Sequence, residues 1–341
     1  MKTIREIFRI GYGPSSSHTM GPRKAVQQFI AEYPSAVNFE VYLYGSLAAT
    51  GKGHLTDKAI EDVLSPVGEL VINWCPDFVP QYHTNGMRIV GRDVCGIVLG
   101  DRTVYSVGGG KIVWDTEVSG ESDSKKSVYP MRRISDILEW CERTGKSYWE
   151  YVDECEGEYI WDYLHEVWEV MKASVKRGLE GEGVLPGGLG VRRKAVSYYM
   201  KASGYSSSLK SRGLVYSYAL AVSEENASGG MIVTAPTCGS CGVLPAVLYH
   251  LYLSREFSEK RILRALATAG IFGNVVKTNA SISGAEVGCQ GEVGVACAMA
   301  AAAASQLFGG SPAQIEYAAE MGLEHHLGLT CDPVCGLVQI P

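Results

Sequence analysis

The chain has no dense basic block. Its lysines and arginines never run beyond two or three together, as at Arg132-Arg133 and Arg192-Arg193-Lys194, and the net charge is −6. That balance gives no footprint for nucleic acid, so none is expected as a partner. Long apolar runs are missing as well. The most apolar stretch, 293–308, is short and mostly alanine, which suits a packed helix and not a membrane span. The opening MKTIREIFRIGYG has neither an extended apolar core nor a small-residue cleavage site. It does not read as a secretory signal, and a cytoplasmic protein without membrane attachment is expected. Phosphate-loop motifs fail in detail. Gly108-Gly109-Gly110-Lys111 lacks an earlier glycine and is followed by Ile112, where a Walker motif needs Ser or Thr. Gly188-Leu189-Gly190 continues into Val191-Arg192-Arg193 and lacks the third glycine of a dinucleotide fingerprint. Binding of NTP or NAD is therefore set aside. No internal repeat is present.

What remains is ordinary for a soluble globular protein, 46% hydrophobic and 20% charged over 341 residues, enough for two domains and a large core. The first third alternates helix and strand signals. A helix is expected over about 22–33, with Ala25, Val26, Phe29, Ile30 and Tyr33 on one face and Pro22 in its first turn. Strands are expected at 39–44, 86–90, 94–99, 103–107 and 112–116. The stretch 115–126, DTEVSGESDSKK, is polar and charged and reads as a linker. Beyond it the apolar spacing turns helical, around 134–141, 160–171, 214–222, 244–253, 261–269 and 290–307, and no strand is expected after Val128. The fold class is α+β: an α/β domain with a mixed sheet (1–115), a linker (116–128) and an all-α domain (129–341).

The stretch that invites a functional reading is 278–297, TNASISGAEVGCQGEVGVAC. Four glycines and several small hydroxyl residues let the backbone turn tightly around Cys289. Such a turn brings a soft ligand close to something that is not protein; equally, a buried cysteine can serve as a small hydrophobe. Ten cysteines in a chain without a secretory signal suggest ligands or buried thiols before disulfides. Cys238, Cys241, Cys331 and Cys335 have the spacing of two ligand pairs, so a structural four-cysteine zinc site is one reading, although about 90 residues separate the pairs. Near the N-terminus, Ser15-Ser16-Ser17-His18-Thr19 precedes a helix. It offers hydroxyls and N–H groups to a carboxylate or phosphate, or it is simply a solvated capping loop.

Seven segments, in order, resemble one family. They are GPSSSHTMGP (13–22), YGSLAATGKGHLTD (44–57), YSVGGGKI (105–112), LPGGLGVRRKA (185–195), SEENASGGMIVTAPT (223–237), NASISGAEVGCQGEVG (279–294) and EHHLGLTCDPVCGLVQIP (324–341). Together they are similar to the iron–sulfur-dependent L-serine dehydratases, or L-serine ammonia-lyases. The resemblance implies a β-type and an α-type domain in one polypeptide, a 4Fe-4S cluster, and a homodimer. It implies Cys289 and Cys331 as cluster ligands and His54 as the active-site histidine. The candidates for holding the carboxylate and ammonium of L-serine are then Ser15, Ser16, Ser17, His18, Thr19, Asn279, Ser281 and Ser283. Some positions depart from the family. Cys335 stands where a glycine is usual, Cys238 and Cys241 where other small or polar residues are common, and His83-Thr84-Asn85 replaces His-Pro-Asn. The given chain stops at Pro341, just before the position of a third cluster cysteine. It is therefore expected to be a C-terminally truncated form and a poor catalyst, rescued by an extension beginning with cysteine. Two other classes compete: a pyridoxal-phosphate enzyme, for which no phosphate cup stands out, and a non-catalytic carboxylate sensor carrying the structural zinc.

Overall fold

A computed structural model describes residues 1–118, 127–282, 284–330 and 334. The chain divides into two compact units, and its first eleven residues, Met1–Gly11, belong to the later, helical one. The sequence division at 115 does not anticipate this. Ile4, Ile7 and Phe8 are fully buried in the helical core. Strand β1 (Ile10–Tyr12) follows, and its partner is the short strand described below.

The second unit comprises 12–118 and Val334 among the described residues. It opens with α1 (Gly21–Glu32), which carries proline in its first turn and buries Ala25, Val26 and Phe29 on one stripe. Strand β2 (Asn38–Tyr44) turns Phe39, Val41 and Leu43 inward and the alternate residues outward. Two short helices, α2 (Gly45–Ala49) and α3 (Thr56–Leu64), carry the chain over to β3 (Glu69–Cys75). Strands β4 (Gly86–Arg92), β5 (Val98–Ser106) and β6 (Ile112–Trp114) complete a sheet in the order β3-β2-β4-β5-β6. β2 and β3 are parallel and every other pair is antiparallel, so the sheet is mixed, as expected. A helical crossover is what a parallel pair requires. One helical turn, α4 (Asp115–Val118), stands where the linker was expected to begin.

Two expectations here need correction. No strand begins at Val94: the Asp93 carboxylate accepts from the N–H groups of Cys95 and Ile97, both at 2.9 Å, and holds a turn there. Strand pairing with β4 resumes only from Val98. Strand β3 was not anticipated at all, because as an edge strand it exposes Glu69 and Val71 and lacks clean alternation.

The helical unit runs through α5 (Ile134–Thr144), α6 (Tyr148–Glu156), α7 (Tyr159–Glu180), α8 (Ala195–Ser203) and α9 (Ser207–Ala227). Next come β7 (Met231–Val233), which pairs with β1, then α10 (Val243–Arg255) and α11 (Glu259–Asn279). It ends with α12 (Gly284–Val287), α13 (Val295–Leu307) and α14 (Pro312–Glu324). β7 overturns the expectation of no strand after Val128; three residues are too few to leave a periodic signal. α11 also runs ten residues past the expected end near 269. Its glycines do not break it but admit neighbours: a Cβ on Gly270 would lie 2.9 Å from the Phe8 ring, and one on Gly273 would lie 2.8 Å from the Met299 sulfur. No described helix is long and apolar enough to cross a membrane.

Candidate active site

In the sheet unit, the serine-rich segment is not an open loop. Ser15 is extended, and its Oγ accepts from the N–H of His18 at 3.1 Å. The N–H groups of Thr19 and Met20 both donate to the Ser15 carbonyl at 3.0 Å, closing a π-helical turn over Ser16–Met20. Ser106 Oγ donates to the Ser17 carbonyl at 2.7 Å. A Cβ on Gly21 would lie 2.1 Å from that same Oγ, so the start of α1 fits only because residue 21 is glycine.

That turn brings His18 to His54, with ring centroids 4.8 Å apart and planes tilted by 33°. The backbone is cross-clamped. Thr19 Oγ1 donates to the His54 carbonyl at 2.7 Å, and Thr56 Oγ1 donates to the His18 carbonyl at 2.6 Å. The His54 Nδ1 lies 3.0 Å from the Thr50 carbonyl. A carbonyl only accepts, so Nδ1 carries the proton and Nε2 keeps its lone pair. His18 meets a hydroxyl on each nitrogen: Ser17 Oγ is 2.9 Å from Nδ1, and Ser46 Oγ is 3.1 Å from Nε2. Burial, followed by the nearby His54, lowers the His18 pKa to about 4, so this ring is neutral near pH 7. Of these partners, sequence reasoning missed Ser46, Thr50 and Thr56; their signal is the hydroxyl residues dotted through 44–57.

In the helical unit, Asn279 is the last residue of α11. Its Nδ2 donates to the carbonyls of Arg132 and Val275, at 2.7 and 2.8 Å. Ser281 Oγ donates to the Glu286 carboxylate. Gly288 takes a positive φ of 68° and leads into Cys289, which is 4% exposed. The Cys289 sulfur is disulfide-bonded, where the sequence suggested a thiol. A π-helical turn, Gln290–Gly294, follows at once. It is tied down where the N–H of Gln290 donates to the Leu329 carbonyl at 3.1 Å and the N–H of Gly328 donates to Gln290 Oε1 at 3.0 Å. Glu292 leans on the 237–241 turn: a Cβ on Gly239 would stand 3.2 Å from its carboxylate. Burial raises its pKa against a hydrogen bond with Thr237. Ser283, Cys331 and Cys335 lie outside the described residues. Cys238 and Cys241 are buried and not disulfide-bonded, and burial raises both pKa values well above the usual thiol range. Nothing among the described residues completes a four-cysteine zinc site; the only described group of potential metal ligands is His165, Glu169 and Glu259 on the surface.

Two further motif segments meet at the start of α8. The N–H groups of Lys194 and Ala195 donate to Glu224 Oε1 at 2.5 and 3.1 Å, while Arg193 reaches Ser228 Oγ at 2.6 Å.

Comparison with known proteins agrees with the motif order. Residues 3–65 match the family described as serine dehydratase beta chain, and residues 103–341 match serine dehydratase alpha chain. The chain belongs to the serine dehydratase family. It is 42% identical to L-serine dehydratase of Streptomyces coelicolor, over 99% of this chain and 86% of that protein. It is 41% identical to L-serine dehydratase 2 of Escherichia coli, over 100% of this chain and 86% of the relative. L-serine dehydratase of Helicobacter pylori is 36% identical, over 99% and 86% of the two chains. The beta-chain match ends just after the His18–His54 pair, and the alpha-chain match takes in the whole Cys289 region.

Proposed function

We propose that this protein is an L-serine dehydratase, a lyase that eliminates water from L-serine to give pyruvate and ammonia. The observation that carries the reading is the kinship with both serine dehydratase chains, joined to a histidine whose Nε2 has no hydrogen bond among the described residues. Hydroxide is a poor leaving group and the α-proton of serine is weakly acidic, so a base and an electrophile are both needed. His54 supplies the base. With Nδ1–H donated to Thr50, Nε2 takes the α-proton. The hydroxyls of Ser15, Ser16 and Ser17, and the first N–H groups of the turn they form, are proposed to hold the carboxylate, for which the start of a helical turn is suited, while the Thr19 hydroxyl, already donated to the His54 carbonyl, orders that turn. Asn279, Ser281 and Ser283 are proposed to hold the ammonium group. Loss of water leaves an aminoacrylate, which tautomerises and hydrolyses to the products.

A 4Fe-4S cluster is proposed as the electrophilic partner, with Cys289 and Cys331 among its ligands. Among the described residues Cys289 is the donor for such a group; its sulfur is disulfide-bonded, so ligation requires that bond to be reduced to the thiolate first, and glycine stands close on both sides of it in the turn. At Gly291 a Cβ would overlap Val287 at 1.9 Å, so the backbone is drawn in close. An iron with an open coordination position supplies Lewis acidity toward a hydroxyl. A β-type domain over 1–115, whose first eleven residues pack in the helical unit, an α-type domain over 129–341, a cytoplasmic site and a homodimer complete the proposal. The test is pyruvate formation from L-serine by protein purified and reconstituted with iron and sulfide under anaerobic conditions. Stoichiometric cluster with no turnover on L-serine would refute the reading.

A further inference from the structure

We propose that His18 is the positioning residue for His54, and that Ser17 and Ser46 fix it in that role by engaging both of its ring nitrogens. The inference rests on the reading of His54 as the base. Geometry distinguishes His18 from a substrate ligand. A group that holds a carboxylate needs a free donor, but each His18 nitrogen already faces a serine hydroxyl, at 2.9 and 3.1 Å. The ring packs beside its neighbour, 4.8 Å away centroid to centroid and tilted by 33°. Among the described residues His54 has one side-chain hydrogen bond, to Thr50, which selects the Nδ1–H tautomer only while the ring keeps the orientation that makes this contact. The His18 ring holds that orientation.

Ser46 is placed to order the arrangement. It sits in the first turn of α2, its N–H donates to the Thr84 carbonyl at 3.2 Å, and its own carbonyl accepts from Thr50 N and Thr50 Oγ1 at 3.1 and 3.0 Å. One short helix thus carries the hydroxyl that holds His18 and leads directly to the carbonyl that holds His54. The titratable groups facing His18 are His54 and His83, and both disfavour its charged form. His83 accepts at Nδ1 from the N–H of Asn85 at 3.1 Å. Neutral His18 lets one ring nitrogen donate and the other accept, which two serine hydroxyls can match and an imidazolium could not match without turning one of them around.

The experiment uses the full chain, labelled with nitrogen-15 at histidine, in two variants: Ser46→Ala and His18→Asn. The His54 signals are identified by their loss in His54→Asn. In the parent, His54 should show one tautomer with hydrogen on Nδ1; in Ser46→Ala it should become a mixture, and more so in His18→Asn. Turnover on L-serine should fall about 10-fold or more in kcat with KM within about twofold, because misplacing a reacting group lowers rate more than binding. An unchanged His54 tautomer in Ser46→Ala, or a rise in KM at constant kcat, overturns the proposal. If His18→Asn fails to fold, Ser46→Ala decides alone. Should His54→Asn keep full turnover, the base reading fails, while the nitrogen-15 result still decides whether His18 positions His54.

Discussion

At the scale of single residues, the separation of roles between two adjacent imidazoles is the most testable feature. Replacing His54 by alanine should leave iron and sulfide content at the parental level and reduce turnover on L-serine by about 10²–10⁴, read as pyruvate released per cluster. Cluster loss with unchanged turnover per remaining cluster would make His54 structural. His18 gives a different signature. Its folded-state pKa, about 4, lies below the ordinary histidine value near 6.5. Between those values the unfolded chain binds the extra proton and the folded chain does not. Stability should therefore be complete above about pH 6.5 and decline as the pH falls toward 4, by up to about 3 kcal/mol from this one group. Urea midpoints of the parent and of His18→Gln across pH 4–7 check this; the variant should lack that part of the slope. Neither effect was visible in the string SSSHT, where a serine beside a histidine says nothing about which more distant serine caps the other nitrogen.

At the scale of elements, glycine and capping residues make firm demands. α7 and α9 approach so closely at Gly178 that a Cβ there would stand 2.1 Å from the Ala221 carbonyl oxygen. Gly178→Ala should lower stability by roughly 1–3 kcal/mol, seen as a lower denaturant midpoint, since backbone cannot move aside as a side-chain tip can. Ser147 and Glu150 form a capping box at the start of α6, and Ser147→Ala should cost about 1 kcal/mol. Helices of this kind were legible beforehand: the spacing of Ile160, Leu164, Val167 and Met171 marks α7, and those residues are buried. So was β2, from its alternation. What stayed hidden shares a cause. β3 is an edge strand, β7 pairs only with the distant N-terminus, and the two π-helical turns close through contacts that local propensity does not encode. For the candidate site, the resemblance supplied Cys289 and His54, whereas Ser46 and Thr56 emerge only from three-dimensional proximity.

At the scale of the whole molecule, Cys289→Ser should remove the visible absorption of a thiolate-bound cluster near about 400 nm and lower the iron content; normal iron would take Cys289 out of the ligand set. The two units place a further constraint on the chain as a connected object. The beta-chain match begins at residue 3, yet Met1–Gly11 builds the helical unit, with Asn274 Nδ2 donating to the Lys2 carbonyl at 2.6 Å and Lys277 bridging to Glu6 at 3.0 Å. Deleting residues 1–11 should thus destabilise the helical unit, detectable as faster proteolysis within 127–330, although the cut removes none of its α-helices. The sheet unit is in effect an insertion within the helical one. On the ribosome this orders events by time. Ile4, Ile7 and Phe8 are made first but cannot reach Gly270 and Gly273 until some 270 residues later, a wait of roughly 15–50 s at ordinary synthesis rates. During that interval a short apolar segment hangs from a sheet unit whose own strands are all complete by Trp114. A nascent chain arrested near residue 130 should expose that segment to a chaperone or an apolar dye, and one arrested beyond the end of α11 should not.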